Sequence, residues 1–413
     1  MLFYNLFSKE AKIEKGITEQ PIVDLVDSLL IIAIEYSVSD IHLEQTQDEL
    51  KVRYRIDGIL YDQNPVNQDY GESIISRLKI LSGLDIAQKR MPQDGKILVS
   101  FIKDSSGQDN KIDMRISTFP TIYGEKMVIR ILDKEQNKID LNCLGMPSEV
   151  LTSLYNLIDR PYGFFLLTGP TGSGKTTTLY SILSYLNNGE KNIVTMEDPV
   201  EYNIDGIIQS QINEKAGFTF EKGLRSILRQ DPDVIMIGEI RDKVTAKIAI
   251  ESALTGHLVF STLHTNDTVS AINRLIDMGV EPFLVNAALT GVLSQRLVRK
   301  LCTNCMQQDI ITIQEKEFIK NKNINLDKFN LDKINRPCGC ASCYDLGYKG
   351  RIGIFELLKV DDNIRDFVAK KATESQIKEF LISQNMQFLQ GSALKLVEAG
   401  VISLEEFFKA ISL

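Results

Sequence analysis

Two different patterns of apolar and polar residues divide the chain. Over residues 21–36 apolar side chains recur at helical spacing, whereas over 50–56 apolar residues alternate with Lys and Arg, as in a half-buried strand. The other elements predicted in this first part are a hairpin turn at Asp57-Gly58, a helix over 72–82 that stops at Gly83, strands over 96–102, 111–118 and 126–132, and a polar turn at Asp104-Ser105-Ser106-Gly107. Helix and strand segments are segregated, so we predict a small α+β domain over residues 21–132.

After residue 149 the pattern changes to apolar strands that alternate with helices. Segments such as Phe164–Leu167, Val234–Ile237 and Leu258–Phe260 are apolar without a break, which is typical of parallel strands covered on both faces. The predicted fold class is therefore α/β. The other predicted regions are a tail at 1–20, a polar linker at 133–148, and a C-terminal domain at 149–413 that includes a cysteine-rich segment at 299–355 and a helical tail at 356–413.

Composition limits the class of protein. The 413 residues include 47 Lys and Arg against 55 Asp and Glu, a net charge of −8. This balance argues against a protein that mainly coats nucleic acid, although it does not exclude a local basic groove. No uncharged apolar run of about 18 residues is present and the N-terminus lacks the regions of a signal peptide, so we expect a cytosolic protein. In that compartment the six cysteines are not expected to form disulfides.

A phosphate-binding loop is the strongest single motif. The segment fits G-x-x-x-x-G-K-[ST], and an apolar strand precedes it while a helix follows it, which makes a chance glycine-rich turn a poor explanation. Backbone N–H groups and the helix N-terminus would hold phosphate oxygens. We expect Lys175 to reach the β- and γ-phosphates of ATP and Thr176 to bind Mg²⁺. The predicted nucleotide-binding residues are Gly169, Pro170, Thr171, Gly172, Ser173, Gly174, Lys175, Thr176 and Thr177.

Acidic residues and a histidine follow three predicted strands. Glu239 comes after Val234–Ile237 with Gly238 where a Walker B strand usually has Asp, and Glu197 comes after the strand that begins near Asn192. Parallel strands place their carboxyl ends at one edge, so these acids should converge near the phosphate loop. Either glutamate could activate water. His264 would lie on the same edge, where it could sense the γ-phosphate or transfer a proton.

The cysteines form two C-x-x-C pairs. Cys302 and Cys305 precede Cys340 and Cys343, and 34 residues separate the pairs. Two such turns can offer four thiolates in the tetrahedral arrangement that suits Zn²⁺, so we predict a closed structural zinc site. Cys338 is an alternative ligand at a less favourable spacing. Redox chemistry is the competing use of this motif, but no thioredoxin-like unit surrounds either pair.

These motifs together resemble the secretion ATPase superfamily of the GspE/PilB type, which drives type II secretion and type IV pili. The C-terminal part carries four motifs similar to the Walker A, Asp box, Walker B and His box of that family, namely GPTGSGKTT at 169–177, VTMEDPVEY at 194–202, RQDPDVIMIGEIRD at 229–242 and TGHLVFSTLHTND at 255–267. The N-terminal part carries SDIHLE at 39–44, VRYRIDG at 52–58 and KRMPQDGK at 89–96, which resemble its nucleotide-cupping domain. The resemblance covers about residues 20–413.

The resemblance implies a RecA-like P-loop NTPase core, a PAS-like N-terminal domain and a zinc-binding insertion. It places Arg115 and Arg130 near the γ-phosphate as catalytic residues, and it places further arginines at nucleotide or subunit contacts, at Arg225, Arg229, Arg241 and Arg274. It also implies a homohexamer on an inner-membrane platform protein, acting indirectly on pilin-like subunits. The tetracysteine segment is typical of the assembly and secretion branch. Only about twenty residues precede the first predicted helix, so recruitment to the membrane is expected to use a short tail or another partner.

Three functional hypotheses follow. The first is a cytoplasmic Mg²⁺-dependent ATPase, peripheral to the inner membrane, that powers assembly of a type IV pilus or a type II secretion pseudopilus. The second is a RecA-like nucleic-acid motor or a DNA-uptake or conjugation ATPase, which the acidic composition and the lack of an aromatic and basic stacking groove disfavour. The third is a regulator that does not hydrolyse ATP, which the intact Lys175, Thr176 and Glu239 disfavour.

Overall fold

The computed structural model describes residues 2–5, 22–102, 109–132, 140–322, 324 and 329–412. The chain forms two compact units, Met1–Lys138 and Ile139–Leu413, and each is considered by itself. The turn predicted at Asp104–Gly107 lies outside the described residues. No helix in the described ranges has both the length and the apolar content needed to cross a membrane.

The first unit is a sheet of eight strands with two helices. Its elements are β1 (Leu2–Asn5), α1 (Ile22–Glu35), β2 (Asp40–Gln45), β3 (Glu49–Ile56), β4 (Ile59–Asp62), β5 (Val66–Asn67), α2 (Gln68–Leu81), β6 (Gln93–Ile102), β7 (Asp109–Thr121) and β8 (Gly124–Leu132). The sheet order is β1-β6-β7-β8-β2-β3-β4, with β5 paired to β3. The predicted hairpin is confirmed: Asp57 and Gly58 have φ of 49° and 88°, the positive values that a tight two-residue turn requires.

The core of the first unit lies between the helices and one face of the sheet. Leu30 and Ala33 of α1 and Ile74 and Leu78 of α2 are buried, and the two helices pack against each other. In β3 every second residue is buried, so the alternation seen in the sequence is the alternation between core and surface.

A buried ion pair joins α2 to β8 and gives a testable prediction about stability. Lys79 is 1% exposed, and its Nζ lies 2.9 Å from both carboxylate oxygens of Glu125 and 2.7 Å from the Gln88 carbonyl. Lys79→Met would leave the Glu125 charge buried without its cation, so we expect a loss of about 3–5 kcal/mol in the unfolding free energy of this unit. Hydrogen exchange of the β8 amides measures that loss.

The matched control is Lys89→Met. The Lys89–Glu72 pair has a similar length, 3.0 Å, but its side chains are 53% and 71% exposed. Solvent screens such a pair, so its loss should cost under about 1 kcal/mol. Equal effects of the two substitutions would contradict the prediction.

The second unit contains the phosphate loop, the cysteines and the C-terminal helices. Its elements are α3 (Ser148–Ile158), β9 (Gly163–Thr168), α4 (Lys175–Leu186), β10 (Ile193–Glu197), β11 (Ile208–Gln211), α5 (Phe220–Ile227), β12 (Val234–Ile237), α6 (Lys243–Leu254), β13 (Leu258–Leu263), α7 (Thr268–Asp277), α8 (Pro282–Ala288), β14 (Leu289–Leu301), β15 (Gln307–Ile310), α9 (Ile313–Asn321), β16 (Lys333–Arg336), β17 (Tyr348–Lys359), α10 (Asp362–Ala369), α11 (Glu374–Ser383), α12 (Leu389–Glu398) and α13 (Leu404–Ser412).

The central sheet of this unit has the order β11-β10-β12-β13-β9-β14-β17. The pairings from β11 to β14 are parallel, and β17 is antiparallel to β14. Residues of α5 to α8 pack on one face of the sheet and residues of α3 and α4 pack on the other. Both faces are covered, which explains why every residue of β9, β12 and β13 is buried.

The cysteine-rich segment and the C-terminal helices pack together. β15 and β16 form a separate two-stranded sheet, and Ile334 of β16 shares a core with Leu394 of α12 and Phe407 of α13. The last four helices begin at Asp362, later than the predicted tail at 356, because residues up to Lys359 belong to β17 and pair with β14.

Candidate functional site

The phosphate loop joins β9 to α4 in a conformation that requires glycine. Gly169 has φ of 144°, and a Cβ at this position would lie 2.3 Å from the carbonyl oxygen of Gln295. Gly174 has φ of 88°, and a Cβ there would lie 2.8 Å from the side-chain nitrogen of Gln295. The backbone of the loop therefore lies directly against β14, and any side chain at these positions would displace it.

Lys175 is held inside this loop. It is 8% exposed, and its Nζ donates hydrogen bonds to the carbonyls of Gly169 at 2.7 Å and Pro170 at 3.0 Å. Burial lowers the pKa of Lys175 to about 8, and the nearby charge of Glu239 opposes that shift. Thr176, the second residue of α4, is exposed. Within the described residues the buried hydroxyl of Ser173 has no hydrogen-bond partner, so the loop has donors that fit phosphate oxygens.

Glu239 lies two residues beyond the end of β12, in a charged cluster. Its carboxylate accepts hydrogen bonds from Arg241 and from His264, whose Nε2 is 3.2 Å away. Burial opposes ionisation of Glu239, but the hydrogen bonds from Arg241 and then His264 outweigh it and lower its pKa. The backbone of β10 lies close to Gly238, which stands where a Walker B strand usually has Asp. A Cβ at this position would lie 3.3 Å from the Met196 carbonyl oxygen and 3.5 Å from Cα of Glu197.

Glu197 ends the neighbouring strand β10 and is 3% exposed. Its carboxylate accepts hydrogen bonds from Tyr180, from Thr195 at 2.5 Å and from Gln209 at 3.2 Å. Burial, followed by the hydrogen bond to Glu197, raises the pKa of Tyr180. Both carboxylate oxygens of Glu197 therefore have protein donors, whereas Glu239 is 18% exposed and contacts a more exposed histidine.

The sheet brings these groups to one edge. β10, β12, β13 and β9 are consecutive parallel neighbours, so Lys175, Glu197, Glu239 and His264 all follow carboxyl ends of adjacent strands. The His box is tied to the start of the phosphate loop, because Thr168 Oγ1 lies 2.5 Å from Thr265 Oγ1.

Arg115 and Arg130 belong to the first unit. They face each other across β7 and β8, and Lys96 pairs with Arg115 from β6. Arg130 donates to Asp40 at 2.9 Å. The three cations and Asp94 line a cavity of about 420 Å³ on this unit, a concentration of positive charge that suits an anion.

The four cysteines of the two C-x-x-C pairs converge. Sγ–Sγ distances are 3.9 Å for Cys302 and Cys340, 3.7 Å for Cys305 and Cys343, and 3.7 Å for Cys340 and Cys343. A tetrahedral zinc site with Zn–S bonds of about 2.3 Å needs sulfurs about 3.8 Å apart, so this arrangement fits the ion. Backbone N–H groups of Gly339 and Gly347 also point at these sulfurs, at 3.3 Å each.

Cys338 is not a member of this cluster. It is exposed, as is Cys143, and among the described residues the group of potential metal ligands contains only the other four cysteines. The alternative in which Cys338 replaces a ligand is therefore not the arrangement observed here.

Several residues of the site could not be identified from the sequence. Gln295 approaches both loop glycines and accepts a hydrogen bond from Thr178 at 2.7 Å, and Tyr180 binds Glu197. Gln295 lies far from the phosphate loop in the sequence, and it reaches the loop only because β14 pairs with β9. The sequence alone does not single out Tyr180, because its hydroxyl becomes notable only once the structure shows that it lies on the buried side of α4.

The fold and the site define a RecA-like P-loop NTPase, and the predicted fold class is confirmed. Residues 16–409 match the family described as Type II/IV secretion system protein. The chain belongs to this family, which confirms the resemblance seen in the motifs.

Curated relatives and solved structures agree. The chain is 45% identical over 391 residues to type II secretion system ATPase E of Vibrio cholerae, covering 95% of this chain and 75% of that protein. It is 44% identical over 392 residues to type IV pilus assembly ATPase PilB of Myxococcus xanthus, covering 95% and 68%. The pilus retraction motor PilT with bound ADP has a TM-score of 0.59 at 26% identity, covering 95% and 97%. The Legionella pneumophila ATPase DotB, with a TM-score of 0.68 at 20% identity, covering 96% and 98%, supports the fold alone.

Proposed function

We propose that this protein is an ATPase that powers assembly of a type IV pilus or a type II secretion pseudopilus from the cytoplasmic side of the inner membrane. One observation carries the chemical part of this proposal: the phosphate loop, two glutamates and a histidine lie at one edge of a parallel sheet. The names of the similar proteins from Vibrio cholerae and Myxococcus xanthus support the biological part.

The residues have the following proposed roles. Loop N–H groups and Lys175 hold the β- and γ-phosphates, and the hydroxyl of Thr176 is a ligand of Mg²⁺. A glutamate orients water and takes its proton, with His264 bound to Glu239 as a sensor or proton carrier. Arg115 and Arg130 would stabilise charge on the transferred phosphoryl group. Mg²⁺, when bound, neutralises phosphate charge.

The proposed assembly is a homohexamer that docks on an inner-membrane platform protein and acts on pilin-like subunits through it. The test uses cells in which the only copy of the gene carries Lys175→Ala. We expect no filaments and no secretion, with normal amounts of the protein. Unchanged assembly in those cells would contradict the proposal.

The pKa of Lys175 predicts how ATP binding depends on pH. Because its pKa is about 8, the free protein holds a charged Lys175 below that pH and a neutral one above it. Phosphate oxygens favour the charged form, so binding above pH 8 requires uptake of a proton. We expect the ATP dissociation constant to be nearly constant at about pH 7 and to rise by up to roughly tenfold per pH unit above the pKa. Titrations at constant ionic strength measure this, and a flat profile up to about pH 9.5 would contradict it.

We also propose that the four clustered cysteines bind one structural Zn²⁺ per chain. Cys343→Ser removes one of four thiolate ligands and should lower zinc content to well below one ion per chain. Without the ion, amides of β15 and β16 should exchange hydrogen faster, because these strands lie between the two cysteine pairs. Cys338→Ser and Cys143→Ser are matched controls, since both residues are exposed and outside the cluster. Full zinc content in Cys343→Ser would rule out this ligand set.

A further inference from the structure

The second unit has a cavity that the proposed chemistry does not use. It has a volume of about 890 Å³ and lies among β14, β17, α7 and the C-terminal helices. This volume is in the range of sites for small organic ligands. Its wall includes Asn266 and Asp267, which end the His box, and Glu356 of β17.

The charges that line this cavity favour an anion. Arg296, Lys359 and Lys395 all line it, and the hydrogen bonds of Arg296 and Lys395 go to neutral acceptors. Arg296 is 7% exposed and donates to the carbonyls of Asn266 and Ala410. Lys395 donates to the side-chain oxygen of Gln387 at 2.9 Å.

Three carboxylates line the wall: Asp267 and Glu356 have hydrogen-bond donors, and Glu149 is exposed. Asp267 lies 2.7 Å from Nζ of Lys378 and also accepts from Ser270. Glu356 is buried and accepts from the backbone and hydroxyl of Thr268 and from the backbone of Leu389. Glu356 and Asp267 are also close enough to Arg296 to act on its charge. Five cations line the cavity against three carboxylates, so the excess charge is positive, and the exposed Lys359 and Lys395 carry part of it at the rim.

The rest of the wall is apolar. Leu357, Met386, Phe388 and Ile411 line it together with the charged residues. A simple inorganic anion would leave this surface in contact with water, whereas an apolar body attached to an anionic group would cover it. The cationic and the apolar parts of the wall therefore both fit a ligand that joins an anionic group to an apolar body.

The cavity is linked to the phosphate loop by a single strand. Gln295 of β14 contacts the loop glycines and Thr178, and the next residue, Arg296, lines the cavity. Successive residues of a strand point to opposite faces, so β14 separates the two sites by one backbone. Arg296 also binds the carbonyl of Asn266, two residues after His264.

We propose that this cavity is a regulatory site for a small amphipathic anion, an apolar body that carries a phosphate, sulfonate or carboxylate group. Such a ligand covers the apolar wall and pairs with Lys359 and Lys395 at the rim. The bound ligand fixes β14, Asn266 and Asp267, and it thereby slows ATP turnover. The regulatory part rests on the proposed ATPase function, whereas the binding part does not.

Binding is tested with anilinonaphthalene sulfonate, a fluorescent amphipathic anion, on the full-length protein. The cavity variant is Lys359→Glu with Lys395→Glu, and the matched control is Lys247→Glu with Lys370→Glu, two exposed lysines outside the cavity. We expect the cavity variant to bind the probe at least roughly tenfold more weakly than the wild type and the control. Equal affinities in all three proteins overturn the proposal. Lys→Gln versions of both pairs repeat the test if a Glu variant unfolds at a lower temperature.

Competitors identify the ligand chemistry and its source. Decyl phosphate should displace the probe from the wild type, whereas decanol or inorganic phosphate at the same concentration should not. Displacement by decanol alone would mean a merely apolar site and would also overturn the proposal. Phosphatidylglycerol vesicles in a parallel series separate a lipid source from a free small molecule.

Regulation is then tested by turnover. Decyl phosphate should slow ATP hydrolysis by the wild type and by the control at least about twofold, and the cavity variant should be unaffected. Turnover that responds equally in all three proteins removes the regulatory claim. Absence of turnover in the untreated wild type would instead contradict the proposed ATPase, and the fluorescence result would still decide the binding claim.

Discussion

Lys175→Ala is expected to abolish ATP hydrolysis, with turnover falling at least about a thousandfold. The side chain is buried in the phosphate loop, and its Nζ contacts two loop carbonyls. Its removal takes away the charge that the β- and γ-phosphates need and leaves two carbonyl oxygens facing the nucleotide. Turnover of the purified protein with Mg²⁺ measures the effect.

The control is Lys247→Ala, which removes an exposed lysine from α6 in the same unit. It should retain wild-type turnover. Because Lys175 is surrounded by loop backbone, the thermal unfolding of both variants is measured as well. A folded Lys175→Ala protein with normal turnover would show that hydrolysis does not use this loop.

Glu239→Gln is expected to lower turnover by on the order of a hundredfold or more, because it removes the partly exposed carboxylate that contacts His264 and that we propose as the base. The amide is nearly isosteric and neutral, so folding should be retained. Both candidate glutamates accept hydrogen bonds at both oxygens, but Glu239 is 18% exposed and Glu197 is 3% exposed, so water reaches Glu239 more readily. The structure therefore favours Glu239 as the base.

Glu197→Gln and Tyr180→Phe complete this comparison. If Glu197 serves mainly to hold α4 against β10, Tyr180→Phe and Glu197→Gln should lower thermal stability together and change turnover by less than Glu239→Gln does. Wild-type turnover in Glu239→Gln, with loss of turnover in Glu197→Gln, would transfer the role of base to Glu197.

Local motifs predicted most of the nucleotide edge. The loop 169–176, its flanking strand and helix, and the acids after β10 and β12 were accessible from the sequence, because each depends on residues close together in the chain and on the rule that parallel strands share an edge. The C-x-x-C pairs could be predicted for the same reason, because the two cysteines of each pair are close together in the chain. The predicted hairpin at Asp57-Gly58 needed only two residues that tolerate positive φ.

The remainder depends on contacts between distant residues. Gln295 reaches the phosphate loop only because β14 lies next to β9, and Tyr180 meets Glu197 only because α4 crosses β10. Neither pairing leaves a local pattern. Residues 356–359 depend on distant contacts in the same way, since they are held as the end of β17 by their pairing with β14.

The most direct test of the proposed function is ATP hydrolysis by the purified wild-type protein with Mg²⁺, measured beside Glu239→Gln, with the size of each determined with and without ATP. We predict turnover by the wild type alone and assembly of both proteins into a ring when ATP is present. A wild-type protein that neither binds nor hydrolyses ATP, even when assembled, would contradict the assignment of this site as the motor of a pilus or secretion machine.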